Sequence, residues 1–159
     1  MASGVPSPDG QQPRRAFARR GLLLGALAVA GVAAACWSNV GADLSGRALS
    51  VQEAHTGAFS GDITLVDIRR PDEWARTGIP EWAIAIDMRD PDFVTKLLAQ
   101  VSGPDAVIAL ICARGVRSRH LAGRLNEAGF THILDVPEGM LGSGAGPGWL
   151  AAGLPVTRS

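Results

Sequence analysis

Ala106-Val107-Ile108-Ala109-Leu110-Ile111-Cys112-Ala113-Arg114-Gly115-Val116-Arg117-Ser118 is the stretch on which the reading of this chain turns. Ala106 to Ile111 is an uninterrupted apolar run, the pattern of a short strand covered on both faces. The run ends at Cys112. A short loop follows, in which Gly115 allows a backbone angle that a side chain would forbid, and a helical segment begins near Arg117. A thiol placed there meets unpaired backbone N–H groups, the positive end of a helix dipole and two arginines, Arg114 and Arg117. Each of these favours thiolate over thiol. A thiolate cradled by donors is a nucleophile that can attack, and then hold, an electrophilic sulfur or phosphorus. The competing reading, a buried cysteine serving only as a small hydrophobe, accounts for neither Gly115 nor the arginines.

The flanking sequence supplies the frame. Ser50-Val51-Gln52-Glu53 is a capping box, predicting a helix to about Thr56 with Gly57 and Gly61 bracketing its exit. Ile63 to Ile68 reads as a buried strand with Asp67 at its end. Pro71 suits the first position of a helix through Arg76, with Asp72-Glu73 as a charge pair at the helix start. Ile84 to Ile86 is a brief strand. Asp92 to Val101 is expected as a helix burying one face of Phe93, Val94, Leu97, Leu98 and Val101. Ser118 to Ala128 reads as a helix with Leu121 and Leu125 inward and Gly129 as its stop. Thr131 to Val136 is the last strand. Strands alternating with helices through short connections imply an α/β fold, a small parallel sheet with helices on both faces and right-handed crossovers. Ligands of such sheets bind beyond the carboxyl ends of the strands, where Cys112 and Asp67 are placed. Gly139 to Gly148 is expected to be a flexible surface loop.

Cys112, four intervening residues and Arg117-Ser118 resemble the active-site loop of the rhodanese-like (sulfurtransferase) family. Protein phosphatases with a similar cradle place one more residue between Cys and Arg, so the shorter loop favours attack on sulfur. Leu65-Val66-Asp67-Ile68-Arg69-Arg70-Pro71-Asp72-Glu73-Trp74 looks like that family's first signature. Thr77-Gly78-Ile79-Pro80-Glu81-Trp82-Ala83-Ile84 resembles the second, with Gly78 and Trp82 departing from its usual His and Ile-Pro-Gly-Ala. Gly148 to Val156 resembles the closing segment, and the likeness spans roughly residues 47 to 156. It implies a rhodanese-like fold and a cycle without metal or organic cofactor. Cys112 would take the outer sulfur of a thiosulfate-like donor as a persulfide and pass it to a thiol, cyanide or protein acceptor. Ala113, Arg114, Gly115, Val116, Arg117 and Ser118 would bind the substrate. Their backbone N–H groups would stabilise the persulfide anion, Arg114 would grip the donor's sulfonate, Arg117 would reach towards the cysteine or orient an oxyanion, and Ser118 would cap the following helix. Asp67 and Arg69 look like the family's structural pair. Other readings of the same residues are a docking module without catalysis, and a cysteine-dependent phosphatase or arsenate reductase.

The chain has 159 residues with 15 Lys+Arg balanced by 15 Asp+Glu, so charge makes no case for a nucleic-acid partner. The two cysteines, Cys36 and Cys112, form no disulfide framework. The three histidines, His55, His120 and His132, show no catalytic spacing. Residues 1–42 read separately from the domain expected over 43–159. Arg14-Arg15-Ala16-Phe17-Ala18-Arg19-Arg20 precedes an uncharged stretch from Gly21 to Ala42, a pattern similar to a twin-arginine export signal. That stretch also suits a membrane anchor with Trp37 at the interface, and Ala33-Ala34-Ala35-Cys36 resembles a lipoprotein processing site that would lipidate Cys36. Each version places the domain in the periplasm or on the outer face of a bacterial inner membrane.

Overall fold

Three apolar runs and one brief strand align in parallel. The computed structural model describes residues 47–158; the expected export segment, with Cys36, lies outside them. In chain order the elements are α1 (Val51–Ser60), β1 (Thr64–Asp67), α2 (Pro71–Thr77), β2 (Ile79–Pro80), β3 (Ile84–Ala85), α3 (Phe93–Leu98), β4 (Ile108–Ile111), α4 (Val116–Glu127), β5 (Ile133–Val136) and β6 (Val156–Thr157). The main sheet has the order β3-β1-β4-β5, with every pair parallel. The expected α/β fold, a parallel sheet flanked by helices, is the fold observed.

Register sets up the site. Asp67 lies beside Ala85 and Ile111, and Ile111 lies beside Val136. All four strands therefore end level, and the segments that follow them emerge at one edge of the sheet. Side chains alternate across the strands. Val66, Ile108, Leu110 and Cys112 share a core with Phe93 and Leu97 of α3 and Leu121 and Leu125 of α4. Their neighbours Leu65, Ala109 and Ile111 face the other way and are equally buried.

Local chemistry explains most boundaries. The capping box forms: the Ser50 amide donates to Glu53 Oε2 (2.8 Å) and the Glu53 amide to Ser50 Oγ (3.2 Å). The helix then runs past Thr56 to Ser60 and stops at Gly61 in the left-handed region (φ 78°). Gly57 does not end it. Gly57 is buried inside the helix, and its carbonyl accepts the amides of Asp62 and Ile63 at 3.0 and 3.2 Å.

Two expectations about the outer elements need correction. The helix expected over 92–101 is only Phe93–Leu98, and Val94 and Leu98 are exposed. So short a helix presents one i, i+4 pair to the core, here Phe93 and Leu97. Sequence patterning also misses β2 and β6, which pair antiparallel (Ile79 with Thr157, Pro80 with Val156) and tie the C-terminal segment to the exit of α2. Gly78 permits that approach, since a Cβ there would lie 2.9 Å from Val156 Cγ2. Trp82 occupies the third position of the turn in which the Ala83 amide donates to the Pro80 carbonyl (3.0 Å), with φ 68°. That angle normally falls to glycine or asparagine; the ring packs edge-on to Phe59, centroids 5.9 Å apart.

At the end of β1 an ion pair is fully enclosed, Asp67 at 0% and Arg69 at 1% exposure. Arg69 donates from its amide, Nε and Nη2 to the Asp67 carboxylate, at 2.6 to 3.1 Å. Its remaining donors reach Thr77 Oγ1 and the Gly78 carbonyl, both at 2.7 Å. Truncating one partner leaves the other charge buried and uncompensated. Arg69→Leu is therefore expected to destabilise the protein by about 3–5 kcal/mol, read as a lowered midpoint in urea unfolding; a loss under about 1 kcal/mol would contradict this account.

Candidate active site

Cys112 follows β4 directly and is only 1% exposed. Its Sγ lies 3.5 Å from Ser118 Oγ, which in turn donates to the Gly115 carbonyl at 3.1 Å. Ser118 does not cap the helix as expected. The N-cap is Gly115 (φ 77°), and Ser118 sits in the first turn of α4 with its hydroxyl turned back into the loop. Among the described residues the amides of Ala113 to Ser118 donate to no carbonyl or side chain, as at any helix start.

The orientation of those amides follows from what holds the loop. The Met140 amide donates to the Cys112 carbonyl, and the Leu141 amide to the Ala113 carbonyl, both at 2.9 Å. In a planar trans peptide the N–H points opposite to the C=O. With both carbonyls turned towards Met140 and Leu141, the amides of Ala113 and Arg114 face away from that strap. The contact is backbone on backbone. A Cβ at Gly139 (φ 66°) would lie 2.6 Å from the Ala113 carbonyl, and one at Gly115 would lie 2.2 Å from the Pro137 oxygen. The expected flexible surface loop over Gly139 to Gly148 is thus a bonded strap against the cysteine loop. Glu138 secures it by accepting the amides of Val51 (3.1 Å) and Gly148 (3.2 Å), and Ser143 Oγ donates to the Pro137 carbonyl at 2.7 Å.

Arg117 grips Glu73 with both terminal nitrogens, Nη1 to Oε2 at 2.8 Å and Nη2 to Oε1 at 2.7 Å. Glu73 also accepts the Arg70 amide at 3.1 Å and Arg70 Nε at 3.2 Å. The Arg117 hydrogen bonds, against the opposing effect of burial and with help from Arg70, pull the Glu73 carboxyl down to about 2. The same contact raises Arg117, with smaller contributions from the nearby Cys112 and Asp67. Glu73 does stand in the first turn of α2, as a helix-start charge would, yet its main partner is 44 residues away.

A cleft of about 470 Å³ opens beside this pair, lined by Arg70, Glu73, Asp87, Met88, Arg89 and Arg117. Arg114 is not part of its lining: Nη1 donates to the Gly142 carbonyl at 3.3 Å, tying the side chain to the strap. Val116 and His120 are exposed. Asp135 of β5 lies near the start of α4, its Oδ2 3.7 Å from Arg119 Nε; burial pushes its carboxyl up, with Ser118 and Arg119 pulling the other way. Among the described residues no group of three or more His, Cys, Asp or Glu is set to hold a metal, and no helix is long and apolar enough to cross a membrane. Sequence reasoning passed over Arg70, Asp87, Met88 and Arg89. One signal was available, because Asp87-Met88-Arg89 repeats the spacing of Asp67-Ile68-Arg69 just after the neighbouring strand.

The fold and site together define a parallel α/β domain that presents a buried cysteine in an amide-lined loop beyond a central strand. Comparison with known proteins carries this further: residues 50–142 match the rhodanese-like domain, and the chain belongs to that family. An uncharacterised protein of Rickettsia rickettsii is 26% identical over 102 residues, covering 57% of this chain and 80% of the relative. Among solved structures, the polysulfide-sulfur transferase homodimer of Wolinella succinogenes is similar, with 25% identity, TM-score 0.56, and coverage of 82% of this chain and 90% of that one. A protein of unknown function from Rhodopseudomonas palustris, described as a possible tyrosine phosphatase, is 27% identical with TM-score 0.54, covering 71% and 86%.

The Glu73 carboxyl has a checkable consequence. Its folded pKa lies below the ordinary 4.5, so folding favours the ionised form; the stabilisation is complete above about pH 4.5 and is lost as pH falls towards 2. The native protein is expected to lose roughly 2–3 kcal/mol from this group across that window. Glu73→Gln should flatten the corresponding part of a pH series of thermal melts, and equal slopes in the two proteins would refute the assignment.

Proposed function

We propose that this protein is a sulfurtransferase that carries a sulfane sulfur on Cys112. The observation that carries the reading is the Cys112 loop itself, a buried thiol at the head of a loop whose amides have no other partner among the described residues, those of Ala113 and Arg114 facing away from the strap at Met140 and Leu141. Cys112 Sγ, as thiolate, attacks the outer sulfur of a thiosulfate-like donor. The new S–S bond forms as the donor's S–S bond breaks, and the bonding pair leaves with sulfite. The persulfide anion rests against the loop amides, which act as an anion nest. A thiolate or cyanide acceptor then takes the outer sulfur and returns Cys112 to thiolate, so no external oxidant or reductant enters the cycle.

Family membership and the similarity to the Wolinella polysulfide-sulfur transferase support sulfur as the transferred atom. Two features weigh against phosphoryl transfer. Only four residues separate Cys112 from Arg117, which leaves a tight loop. Both terminal nitrogens of Arg117 are also engaged by Glu73 and so are not available to clasp a phosphate over the thiol. The paired arginines at 14–15 and the uncharged stretch to Ala42 support an exported or membrane-anchored protein working in the periplasm or on the outer face of a bacterial inner membrane.

Intact mass of the full chain after thiosulfate treatment tests the chemistry. A gain of one sulfur atom, removed by cyanide and absent from Cys112→Ser, is expected. A phosphoryl adduct formed with a phosphoryl donor, or a reduced and accessible Cys112 that gains no sulfur from any sulfane donor, would overturn the reading.

A further inference from the structure

The chain builds the same clamp twice. In Asp67-Ile68-Arg69 the arginine amide donates to Oδ1 at 3.1 Å, Nε reaches Oδ1 and Oδ2 at 2.9 and 3.0 Å, and Nη2 reaches Oδ2 at 2.6 Å. In Asp87-Met88-Arg89 the corresponding distances are 3.0, 3.0, 3.2 and 2.6 Å. The first clamp begins at the last residue of β1 and the second just after β3, its neighbour in the sheet. Their surroundings differ. In the first, the outer nitrogen Nη1 is taken by the half-buried Thr77, and the ion pair itself is buried. In the second, the Arg89 side chain is 62% exposed while Asp87 is 17% exposed, and Nη1 has no protein acceptor among the described residues.

The second clamp borders the cleft that Arg117 also lines, and Arg117 stands close enough to Cys112 to feel its charge. Its lining contains three guanidinium groups, Arg70, Arg89 and Arg117, against two carboxylates, Glu73 and Asp87, an excess of one positive charge. The three arginines are not equivalent. Arg117 gives both terminal nitrogens to Glu73. Arg70 is shared between Glu73 at 3.2 Å and Asp72 at 3.4 Å. Arg89 is the one held firmly along one edge with its other edge open, so it can bind an oxyanion without first losing much side-chain entropy. Arg89 and Arg117 line the same cleft, and Asp72 and Glu73 add to the field at Arg89. The cleft is far larger than a thiosulfate ion requires and falls in the range of organic ligand sites.

We propose that Arg89, positioned by Asp87, recognises a carboxylate on an organic sulfur donor, so that the preferred donor is a persulfide of a carboxylate-bearing thiol. The proposal rests on the sulfurtransferase reading and deepens it. Cys112 thiolate attacks the outer sulfur of the persulfide, R–S–SH. The Sγ–S bond forms, the donor's S–S bond breaks with its electron pair leaving on the inner sulfur, the donor departs as the thiolate R–S⁻, and the proton stays on the transferred sulfur. Met88, in the same lining, offers a polarizable contact to the donor's sulfur and alkyl portion.

Two readouts on the full chain test it. The first is the rate of Cys112 persulfidation by cysteine persulfide against that by the uncharged persulfide of 2-mercaptoethanol. Arg89→Gln is expected to lower the kcat/KM preference for the carboxylate donor about tenfold, chiefly through KM, with Arg89→Lys restoring part of it. A preference unaltered by Arg89→Gln overturns the proposal. The second needs no transfer: calorimetric binding of 3-(methylthio)propanoate and its neutral amide to Cys112→Ser. The carboxylate should bind about tenfold more tightly, and the gap should close when Arg89→Gln is added. Equal binding of acid and amide overturns the Arg89 assignment. Failure of every donor to persulfidate the native chain, with the binding gap intact, would instead overturn the transferase reading and leave the carboxylate site standing.

Discussion

Asp67 and Arg69 form the contact on which the site depends. Burying two charges costs several kcal/mol each unless their hydrogen bonds are replaced, and here they are replaced by the Arg69 amide, Thr77 and Gly78. The consequence is geometric. The end of β1 is bound to the last turn of α2 and to the residue after it, so α2 cannot shift along the sheet edge. The first turn of α2 carries Glu73, and Glu73 holds Arg117 at the start of α4. A buried pair with no role in the chemistry thus sets where the charged wall beside Cys112 stands.

The loop around Cys112 is shaped by main chain rather than by side chains. Two of its carbonyls are bonded to the strap at Met140 and Leu141, which by peptide planarity directs the intervening amides the other way. The approach is too close for any side chain at Gly115 or Gly139. A cradle made in this way makes little demand on the side chains of Ala113 and Val116, and Val116 projects into solvent.

Charge is arranged in layers around the thiol. Nearest is the uncharged Ser118 hydroxyl, 3.5 Å from the sulfur. Next is Arg117, its guanidinium neutralised in part by Glu73. Beyond lies the cleft, where positive groups outnumber negative ones. This arrangement keeps both terminal nitrogens of Arg117 on Glu73 and leaves the more exposed Arg89 at the outer edge of the cleft.

Much of this was legible in the linear chain. The apolar runs around Leu65, Leu110 and Leu134, the capping box at Ser50, and the stops at Gly61 and Gly129 are local matters of burial and backbone freedom, and they specified a parallel α/β sheet. The position of Cys112 at a strand end, before a glycine and a helix, was legible for the same reason. The partners of the site residues were not. Arg114 was read from its loop position alone, and only the structure shows its bond to Gly142 and places Arg89, outside every recognised motif, in the lining of the cleft. Glu73 looked like a helix-start charge but closes on Arg117, and the glycine-rich strap looked mobile but carries the bonds that orient the cradle. Strand identity and the place of Cys112 follow from short-range chemistry, which a sequence contains. Which charge meets which depends on the level ends of four strands bringing distant segments to one edge, and that alignment exists only once the sheet has formed.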